Sequence, residues 1–295
     1  MAQQLTIDFT KRTPRVLSYG GGLDSFAMLV DAIQRNDKPD VCAMVDVGDP
    51  NDRTVPGEWP STYRHVEEIV KPLCAANGIE FVMIDSNTFP VRDASSLFAW
   101  FWARYQIPMA GPGRICTVVA KVERFEKWLA ARYGEQSVEV WVGFEAGEEG
   151  RAAKDPNAGK STQRRNRFPL IERQLCRCRC EALVRAAGYP VPRKSACVFC
   201  PYGSKRDWQT LAAECPEQFA KIAELEARKP ATKKNGLKLS IMGYHTTKHA
   251  DGTKTVRAPM LAEYIQGESK ARVIPCEVCG AAQRATKATG CTYLP

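Results

Sequence analysis

The stretch that decides the fold is RVLSYGGGLDSFAMLV, Arg15 to Val30, in which three consecutive glycines follow a short apolar run. Val16 and Leu17 end a predicted buried strand. Apolar residues then recur at helical spacing, at Phe26, Leu29, Val30 and Ile33. This spacing predicts an amphipathic helix from about Asp24. Because glycine lets backbone N–H groups approach a phosphate, and the positive end of a helix dipole faces it, the stretch predicts an anion site.

Three kinds of phosphate-binding turn can be compared with these residues. A Walker loop needs Lys and then Ser or Thr after its last glycine, but Leu23 and Asp24 stand there. A dinucleotide fingerprint would place its third glycine at Ser25, although Asp46 after the next strand could contact a ribose. The PP-loop of ATP pyrophosphatases, Ser-Gly-Gly-x-Asp-Ser, fits better, with Tyr19 as an extra residue. The matching residues are Ser18, Gly20, Gly21, Gly22, Asp24 and Ser25. A strand-to-helix turn without a ligand is the alternative.

Apolar runs alternate with helical patterns through the first half of the chain. The predicted strands are Val41–Val45, Ile79–Ile84 and Val138–Val142, and the predicted helices begin near Ser61, Leu97 and Thr117. This alternation predicts an α/β fold with a doubly wound, mostly parallel sheet, whose ligands bind at the carboxyl ends of the strands. We predict a nucleotide-binding domain over residues 14–151, a polar loop or linker over 152–167, a cysteine-containing region over 168–228 and a basic C-terminal region over 229–295.

Charge is distributed unevenly along the 295 residues. Residues 1–150 hold 15 Lys and Arg against 21 Asp and Glu, whereas residues 151–295 hold 27 against 12. The basic second half predicts nucleic acid as a partner, and a surface for small anionic substrates is the alternative. The sequence has no apolar signal region and no run long enough to span a bilayer, so we expect a cytoplasmic protein that binds no membrane. The sequence is compatible with a homo-oligomer and does not specify the oligomeric state.

Twelve cysteines in a chain of this kind favour metal or redox chemistry over disulfides. Two CxxC pairs, Cys197/Cys200 and Cys276/Cys279, are the strongest candidates for metal ligands. For the second pair we predict a structural zinc that Cys291 also binds, with His245 or His249 as a fourth ligand. A cysteine-containing tail with one redox thiol is the alternative.

Further motifs resemble the phosphoadenosine phosphosulfate (PAPS) reductase-like family of the PP-loop superfamily. They are DVG at 46–48, GEWPSTY at 57–63, GRICTVVAK at 113–121, GFEAGEEGR at 143–151, FPLIE at 168–172 and VPRKSACVFCPYGSKRDW at 191–208. Val47 departs from the family, which has Thr at that place. The resemblance implies an adenosine-nucleotide α-hydrolase-like fold, with the nucleotide lying over the edge of the sheet.

The resemblance also implies ATP chemistry. Family members with an intact Gly-Gly-x-Asp-Ser loop adenylate a carbonyl oxygen and release pyrophosphate, so that sulfur or nitrogen can displace AMP. Sulfate-nucleotide reductases degrade that loop and carry a Glu-Cys-Gly tail, whereas this chain keeps Asp24 and Ser25 and its Cys291 lacks those neighbours. We therefore expect an ATP-dependent enzyme that adenylates a nucleic-acid acceptor for sulfur transfer, with a sulfur-donor protein as a further candidate partner. A PAPS or adenylyl-sulfate reductase and a non-catalytic nucleic-acid-binding protein are the alternatives.

Individual roles follow from this interpretation. The N–H groups of the glycine turn would hold the pyrophosphate, Ser18 and Ser25 would donate hydroxyl hydrogen bonds, and Asp24 would hold Mg²⁺ or cap the helix. Three basic residues are candidates to neutralise phosphate charge, with surface salt bridges as their alternative: Lys121, Arg114 and Arg151. Asp46 is a candidate adenosine contact, with strand-end capping as its alternative role.

Four thiolates are predicted to hold an iron–sulfur cluster, [4Fe–4S], near the nucleotide: Cys116, Cys180, Cys197 and Cys200. The CxxC pair supplies two ligands, which cannot complete a cluster site. In cluster-bearing adenylyl-sulfate reductases a tandem Cys-Cys precedes the Lys that corresponds to Lys121, and Cys116 matches the first of that pair. For the fourth ligand, Cys176 and Cys178 compete with Cys180, and Cys215, which sits within a helical pattern, is a weaker candidate. A fourth position that stays open for sulfide is a further alternative. Zinc in the same thiolates is the alternative.

Overall fold

A five-stranded parallel sheet forms the centre of the protein. The computed structural model describes residues 12–110, 115–158, 164–230, 239–269, 272–276, 278–279, 282–286 and 290–293. The strands of the sheet are β1 (Arg15–Tyr19), β2 (Val41–Val45), β3 (Glu80–Ile84), β4 (Val138–Val142) and β5 (Arg164–Arg167), in the spatial order β3-β2-β1-β4-β5. All neighbouring strands are parallel. The predicted fold class, an α/β fold with a doubly wound parallel sheet, is confirmed.

Strand β1 lies at the point where the strand order reverses. Val16 pairs with Val41 of β2 on one side and with Val140 of β4 on the other. Both faces of the sheet are covered at this strand, and Val16 and Leu17 are fully buried. In open α/β sheets, ligands bind in the crevice beyond the carboxyl end of such a strand. The glycine turn after β1 therefore occupies the position where a ligand is expected.

Helices cover both faces of the sheet. In the first half they are α1 (Leu23–Gln34), α2 (Pro60–His65), α3 (Lys71–Ala76), α4 (Leu97–Ala103), α5 (Ile115–Thr117) and α6 (Glu123–Tyr133), with π-helical turns at Val66–Val70 and Val118–Val122. Phe26 of α1 shares one buried cluster with Leu17, and Phe125 of α6 shares another with Val16. Because Leu17 and Val16 point to opposite faces of β1, the two helices lie on opposite sides of the sheet.

The fifth strand corrects the prediction of a loop or linker over residues 152–167. Residues Arg164–Arg167 pair in parallel with β4, so the sheet continues past residue 151. This edge strand shows no apolar alternation, and the guanidinium groups of two of its arginines lie over aromatic rings. Arg164 Cζ lies 5.4 Å from the centre of the Phe125 ring, and Arg167 Cζ lies 5.4 Å from the centre of the Trp141 ring.

The second half adds helices and two small antiparallel sheets. The helices are α7 (Glu149–Ala152), α8 (Pro169–Glu172), α9 (Arg177–Ala186), α10 (Lys205–Glu214), α11 (Pro216–Arg228) and α12 (Leu261–Tyr264). The strands form a hairpin, β6 (His245–Lys248) with β7 (Lys254–Arg257), and a sheet of β8 (Arg272–Pro275), β9 (Ala282–Thr286) and β10 (Gly290–Tyr293). Helix α9 packs on α1, where Val184 joins the buried cluster of Phe26. None of the described helices is long and apolar enough to cross a bilayer.

Candidate active site

The glycine turn is held by hydrogen bonds of its own. The N–H of Gly20 donates to Ser25 Oγ at 3.1 Å, and this hydroxyl donates to the carbonyl oxygen of Gly22 at 3.1 Å. Gly22 is the N-cap of α1, and no side chain caps the helix there. A helix N-terminus without a side-chain cap offers its N–H groups to an anion.

Close approaches by other segments explain the glycines of the turn. Gly21 has a φ of +76°, and a Cβ at this position would lie 2.7 Å from Thr62 Cγ2. A Cβ at Gly143, in the loop after β4, would lie 3.2 Å from the backbone nitrogen of Ser25. Side chains at either position would force the turn away from its neighbours, so glycine is needed for packing as well as for conformation.

The turn opens onto a cavity of about 580 Å³ at the carboxyl end of the sheet. Six predicted site residues line it together: Ser18, Gly20, Gly22, Asp24, Ser25 and Arg151. The rest of the lining comes from the loop after β4 and from the second half of the chain, and it includes Phe144, Glu145, Glu148, Arg177, Lys194 and Ser195. The structure therefore brings most of the predicted phosphate-binding residues into one site.

Asp24 and Arg177 form an ion pair in this cavity. Arg177 Nη1 donates to Asp24 Oδ2 at 2.9 Å, and only 11% of the Arg177 side chain and 22% of the Asp24 side chain are exposed. Burial raises the pKa of Asp24, although the positive charge of Arg177 opposes the shift. Asp24 Oδ1 is buried without a hydrogen-bond partner. One carboxylate oxygen is thus held by Arg177, and the other remains to bind a cation.

Two glutamates after β4 add negative charge to the cavity. Burial raises the pKa of Glu145 to about 7, and the negative charges of Asp24 and Glu148 raise it too. The backbone N–H of Arg177 donates to this carboxylate and partly offsets the shift. Neighbouring carboxylates repel one another unless a cation lies among them. Carboxylate oxygens together with phosphate oxygens are the ligands that Mg²⁺ prefers, so these residues fit a magnesium ion bound with a polyphosphate.

Arg151 lies at the rim of the cavity on an aromatic platform. Its guanidinium lies 4.3 Å from the centre of the Phe144 ring, and it pairs with Glu148. Phe144 in turn stacks on Phe168, with 5.5 Å between ring centres and 9° between planes. Because 57% of the Arg151 side chain is exposed, its guanidinium is free to turn from Glu148 to a bound phosphate.

A second cavity, of about 390 Å³, adjoins the first. Three predicted cluster ligands line it: Cys116, Cys197 and Cys200. Burial raises the pKa of the Cys197 and Cys200 thiols, and the neighbouring Cys116 raises both further. The two cavities share Arg151, Lys194 and Ser195 in their linings. A group bound in the glycine-turn cavity would therefore lie next to the three cysteines.

Lys121 lines the cysteine cavity and is not among the residues of the glycine-turn cavity. Its Nζ lies 2.8 Å from Oε1 of Glu58, which is fully buried. Burial opposes the charge on Lys121, but Glu58 and the cysteines Cys197 and Cys200 together raise its pKa. The geometry does not support the predicted contact between Lys121 and a phosphate, because Glu58 holds the ammonium group of Lys121 beside the cysteines.

The sheet order and the place of the turn agree with the sequence-based expectation. The sheet has the order β3-β2-β1-β4-β5, and a Ser-x-Gly-Gly-Gly-x-Asp-Ser turn with a cavity follows its central strand. This arrangement is the one that the resemblance to the PP-loop superfamily implies.

Comparisons with known proteins show distant likenesses. No protein-family model and no curated protein matches the chain. Among solved structures it is similar to the U34-tRNA thiolase NcsA from Methanococcus maripaludis with its [4Fe-4S] cluster, with 14% identity, a TM-score of 0.40, and coverage of 76% of this chain and 75% of that chain. It is also similar to the NH3-dependent NAD synthetase from Campylobacter jejuni, with 16% identity, a TM-score of 0.35, and coverage of 73% and 83%. Likenesses at this level carry no argument about activity.

Cys180 does not join the cysteine cavity beside the PP-loop. It is fully buried in the cluster of Phe26 between α9 and α1, and its thiol donates to the carbonyl oxygen of Leu175 at 3.9 Å. Its position on α9 directs it to α1, whereas Cys197 lies in a cavity whose lining does not include Cys180. The predicted set of four is therefore corrected to three: Cys116, Cys197 and Cys200.

Asp46 is fully buried after β2, and donors of this chain occupy both its carboxylate oxygens. Oδ1 accepts from the N–H of Gly48 at 2.8 Å and from the hydroxyl of Tyr63 at 2.6 Å, and Oδ2 accepts from Arg53 at 2.5 Å. The predicted adenosine contact at Asp46 is not supported, because these bonds hold the loop after β2 instead.

The second CxxC pair meets two cysteines of α9. The sulfurs of Cys176, Cys178, Cys276 and Cys279 all lie within 4.8 Å of one another. The predicted histidine ligands lie in the β6–β7 hairpin, where His249 contacts Thr255 Oγ1 at 2.6 Å and the ring of His245 packs on that of Tyr264. The side chain of Cys291 and the whole of Arg114 lie outside the described residues.

Besides Glu145 and Glu148, sequence reasoning missed three residues of the glycine-turn cavity. Ser195 Oγ donates to the carbonyl oxygen of Gly20, and Arg177 pairs with Asp24. Burial lowers the pKa of Lys194, which lines both cavities. All three residues lie in cysteine motifs, in the segments CRC at 176–178 and KSAC at 194–197. The basic and hydroxyl residues within those motifs were the signal that could have found them.

Proposed function

We propose that this chain is an ATP-dependent PP-loop enzyme that adenylates a carbonyl oxygen of a nucleic acid, so that sulfur can replace this oxygen. The observation that carries the proposal is the shared wall of the two cavities, formed by Arg151, Lys194 and Ser195. A phosphate site next to three cysteines suits a two-step reaction, in which ATP first activates the carbonyl oxygen and sulfur held by the cysteines then replaces it.

The glycine turn would hold the β- and γ-phosphates of ATP. Its backbone N–H groups and the start of α1 supply a positive field, and Ser18 lies in the lining as a hydroxyl donor. The Ser25 hydroxyl, which donates to the carbonyl oxygen of Gly22, would turn to donate to a bound phosphate. Asp24, Glu145 and Glu148 would hold Mg²⁺, whose charge offsets that of the phosphates. Arg151 and Lys194, which line the cavity, would stabilise the negative charge that develops as pyrophosphate leaves.

Adenylation would proceed by attack on the α-phosphorus of ATP. The carbonyl oxygen of the acceptor forms a bond to this phosphorus while the bond to the bridging oxygen of pyrophosphate breaks, so pyrophosphate leaves with the electron pair. A sulfide nucleophile then attacks the acceptor carbon, and the C–O bond breaks with release of AMP. Neither step changes an oxidation state, so no external oxidant or reductant is consumed.

The three cysteines of the second cavity would hold the sulfur centre. Cys116, Cys197 and Cys200 supply three thiolates, one fewer than the four ligands of a complete cluster site. An iron–sulfur cluster with one open position would supply bound sulfide for transfer, and zinc in the same thiolates is the alternative. Lys121 and Lys194 place positive charge beside these thiolates.

The β6–β7 hairpin supports nucleic acid as the acceptor. Both strands are exposed along their whole length. Lys248 lies directly opposite Lys254 across the hairpin. Like charges at such a pair destabilise an isolated hairpin, whereas a phosphate backbone would bind both. We expect a variant with Lys248→Ala and Lys254→Ala to bind nucleic acid more weakly and with a smaller dependence on salt.

The reaction is tested with protein purified without oxygen and ATP labelled at the α-phosphate. The proposal predicts AMP and pyrophosphate, formed faster when tRNA or DNA is present. ADP and phosphate, or no turnover with any nucleic acid, would count against it. Sulfite release from PAPS would indicate a sulfonucleotide reductase instead, and tight salt-sensitive binding without turnover would indicate a non-catalytic binding protein.

A further inference from the structure

Four cysteines far apart in the sequence meet outside the cavities of the proposed reaction. Cys176 is the N-cap of α9 and Cys178 lies in its first turn, whereas Cys276 and Cys279 follow β8 almost one hundred residues later. Their sulfurs all lie within 4.8 Å of one another. Cys176, Cys178 and Cys276 are buried, and Cys279 is exposed.

The spacing of these sulfurs fits one metal ion. In a tetrahedral zinc site with Zn–S bonds of about 2.3 Å, neighbouring sulfurs lie roughly 3.8 Å apart. A [4Fe–4S] cluster places four irons and four sulfides between its thiolates and therefore holds them farther apart. Small movements of the side chains bring sulfurs within 4.8 Å to the zinc spacing, whereas a cluster would have to push the group open.

The surroundings of the four sulfurs also suit a metal ion that joins two segments of the chain. Among the residues that the structure describes, the buried cluster around them consists of Ala146 and three of the cysteines. Burial of these four small side chains contributes little to joining the two chain segments.

We propose that Cys176, Cys178, Cys276 and Cys279 bind one structural zinc ion, which joins the segment after β8 to the start of α9. This site differs from the three-cysteine cavity in its residues and in its metal. It also differs from a zinc site completed by Cys291 or a histidine. Zinc binding would fix the first turn of α9, which carries Arg177 between two ligands.

Zinc content of the full-length protein tests this assignment. After purification without oxygen, Cys279→Ser is expected to lower zinc by one ion per chain. Cys279 is exposed, so this variant is the least liable to unfold, and Cys178→Ser should behave alike. Cys215→Ser is the matched control, because Cys215 is a free cysteine elsewhere in the fold, and it should keep the zinc. Replacing zinc by Co²⁺ should give the absorption of a tetrahedral four-thiolate site.

Three outcomes would overturn the proposal. Zinc that stays unchanged in Cys279→Ser and in Cys178→Ser would show that these residues bind no zinc. Zinc lost in Cys291→Ser but kept in Cys178→Ser would assign the ion to the C-terminal segment alone. Loss of iron instead of zinc from Cys178→Ser would place a cluster at this site. None of these measurements depends on ATP turnover, so they can fail or succeed independently of the proposed reaction.

Discussion

Arg177 Nη1 lies 2.9 Å from Asp24 Oδ2. This ion pair joins helix α1, which follows the glycine turn, to a residue 153 positions later in the chain. The pair is almost enclosed, and burial raises the pKa of Asp24 in spite of it. Arg177 also donates its backbone N–H to Glu145. One residue of the cysteine-containing region thus contacts two carboxylates of the phosphate cavity, and the geometry of that cavity depends on the second half of the chain.

Gly21→Ala is expected to unfold more easily than the parent. Its φ of +76° disfavours a side chain, and the new Cβ would lie 2.7 Å from Thr62 Cγ2. Gly78→Ala is the matched control, since Gly78 has a φ of +67° but nothing within 4 Å of the added Cβ. We expect a loss of about 1–2 kcal/mol for Gly78→Ala from conformation alone, and a larger loss for Gly21→Ala.

Urea unfolding measures both variants, and the double variant Gly21→Ala with Thr62→Ser should recover part of the loss. Equal losses for Gly21→Ala and Gly78→Ala would show that the contact with Thr62 does not constrain the turn.

Glu145→Gln should change how stability depends on pH. The folded-state pKa of Glu145 is about 7, above the ordinary value of 4.5, because the site disfavours its charge. The folded chain therefore holds this proton more tightly than the unfolded chain. The associated stability is fully present below about pH 4.5 and is lost as the pH rises through 7. Because Glu145 is only half-buried, the effect is discounted to the order of 1 kcal/mol.

Thermal unfolding at pH 5 and pH 8 checks this prediction. The difference in unfolding temperature, Glu145→Gln minus the parent, should be more positive at pH 8 than at pH 5. A constant difference between the two proteins would mean that Glu145 titrates in the folded state as it does in water.

Lys121→Met should destabilise the fold through Glu58. Glu58 is fully buried and its Oε1 lies 2.8 Å from Lys121 Nζ, so the variant leaves a buried carboxylate without its partner. Removing one partner of a fully buried pair costs about 3–5 kcal/mol. Because 35% of the Lys121 side chain is exposed, the loss in this variant is expected to be smaller. The double variant Lys121→Met with Glu58→Gln removes both charges and should lose less than the single variant. In urea unfolding, additive losses would contradict the coupling between these two residues.

The iron content of the protein should depend on Cys116, Cys197 and Cys200, which line one cavity, and not on Cys180. Protein purified without oxygen is expected to be brown and to contain roughly four irons per chain. Cys197→Ser and Cys200→Ser should lose this iron, whereas Cys180→Ser should keep it, because Cys180 lies in the cluster of Phe26. Iron analysis beside circular dichroism separates metal loss from unfolding. Iron retained in Cys197→Ser but lost in Cys180→Ser would restore Cys180 as a ligand.

The parts of the fold that follow from local patterns were predictable. Strands Val41–Val45 and Val138–Val142 coincide with apolar runs, and the helix after the glycine turn begins at Leu23, one residue from its predicted start. Strand β5 was missed because its arginines are stabilised by rings of neighbouring elements, which the sequence of an edge strand does not reveal.

The site was predictable where its residues are neighbours in the chain. The turn itself places five predicted residues in one cavity: Ser18, Gly20, Gly22, Asp24 and Ser25. Groups that depend on tertiary contacts were not predictable. Spacing alone did not show that Cys180 packs against α1, or that Cys176 and Cys178 meet Cys276 and Cys279. Asp46 resembled a ligand contact by its position after a strand, but Tyr63 and Arg53 occupy its oxygens.

The central claim is that Asp24 acts in the release of pyrophosphate from ATP. Asp24→Asn keeps the shape of the side chain and removes the charge that would hold Mg²⁺. Asp31→Asn is the matched control, because Asp31 lies farther along the same helix and its carboxylate pairs with Arg173. The direct test measures AMP and pyrophosphate formed from ATP by the parent and both variants, at matched circular dichroism and with nucleic acid present. The parent and Asp31→Asn are expected to turn over ATP, and Asp24→Asn is expected to lose at least ~100-fold of this activity, since a single charged group in such a site contributes on this scale. Turnover by Asp24→Asn within a few-fold of the parent, or ADP and phosphate as the parent's products, would contradict the central claim.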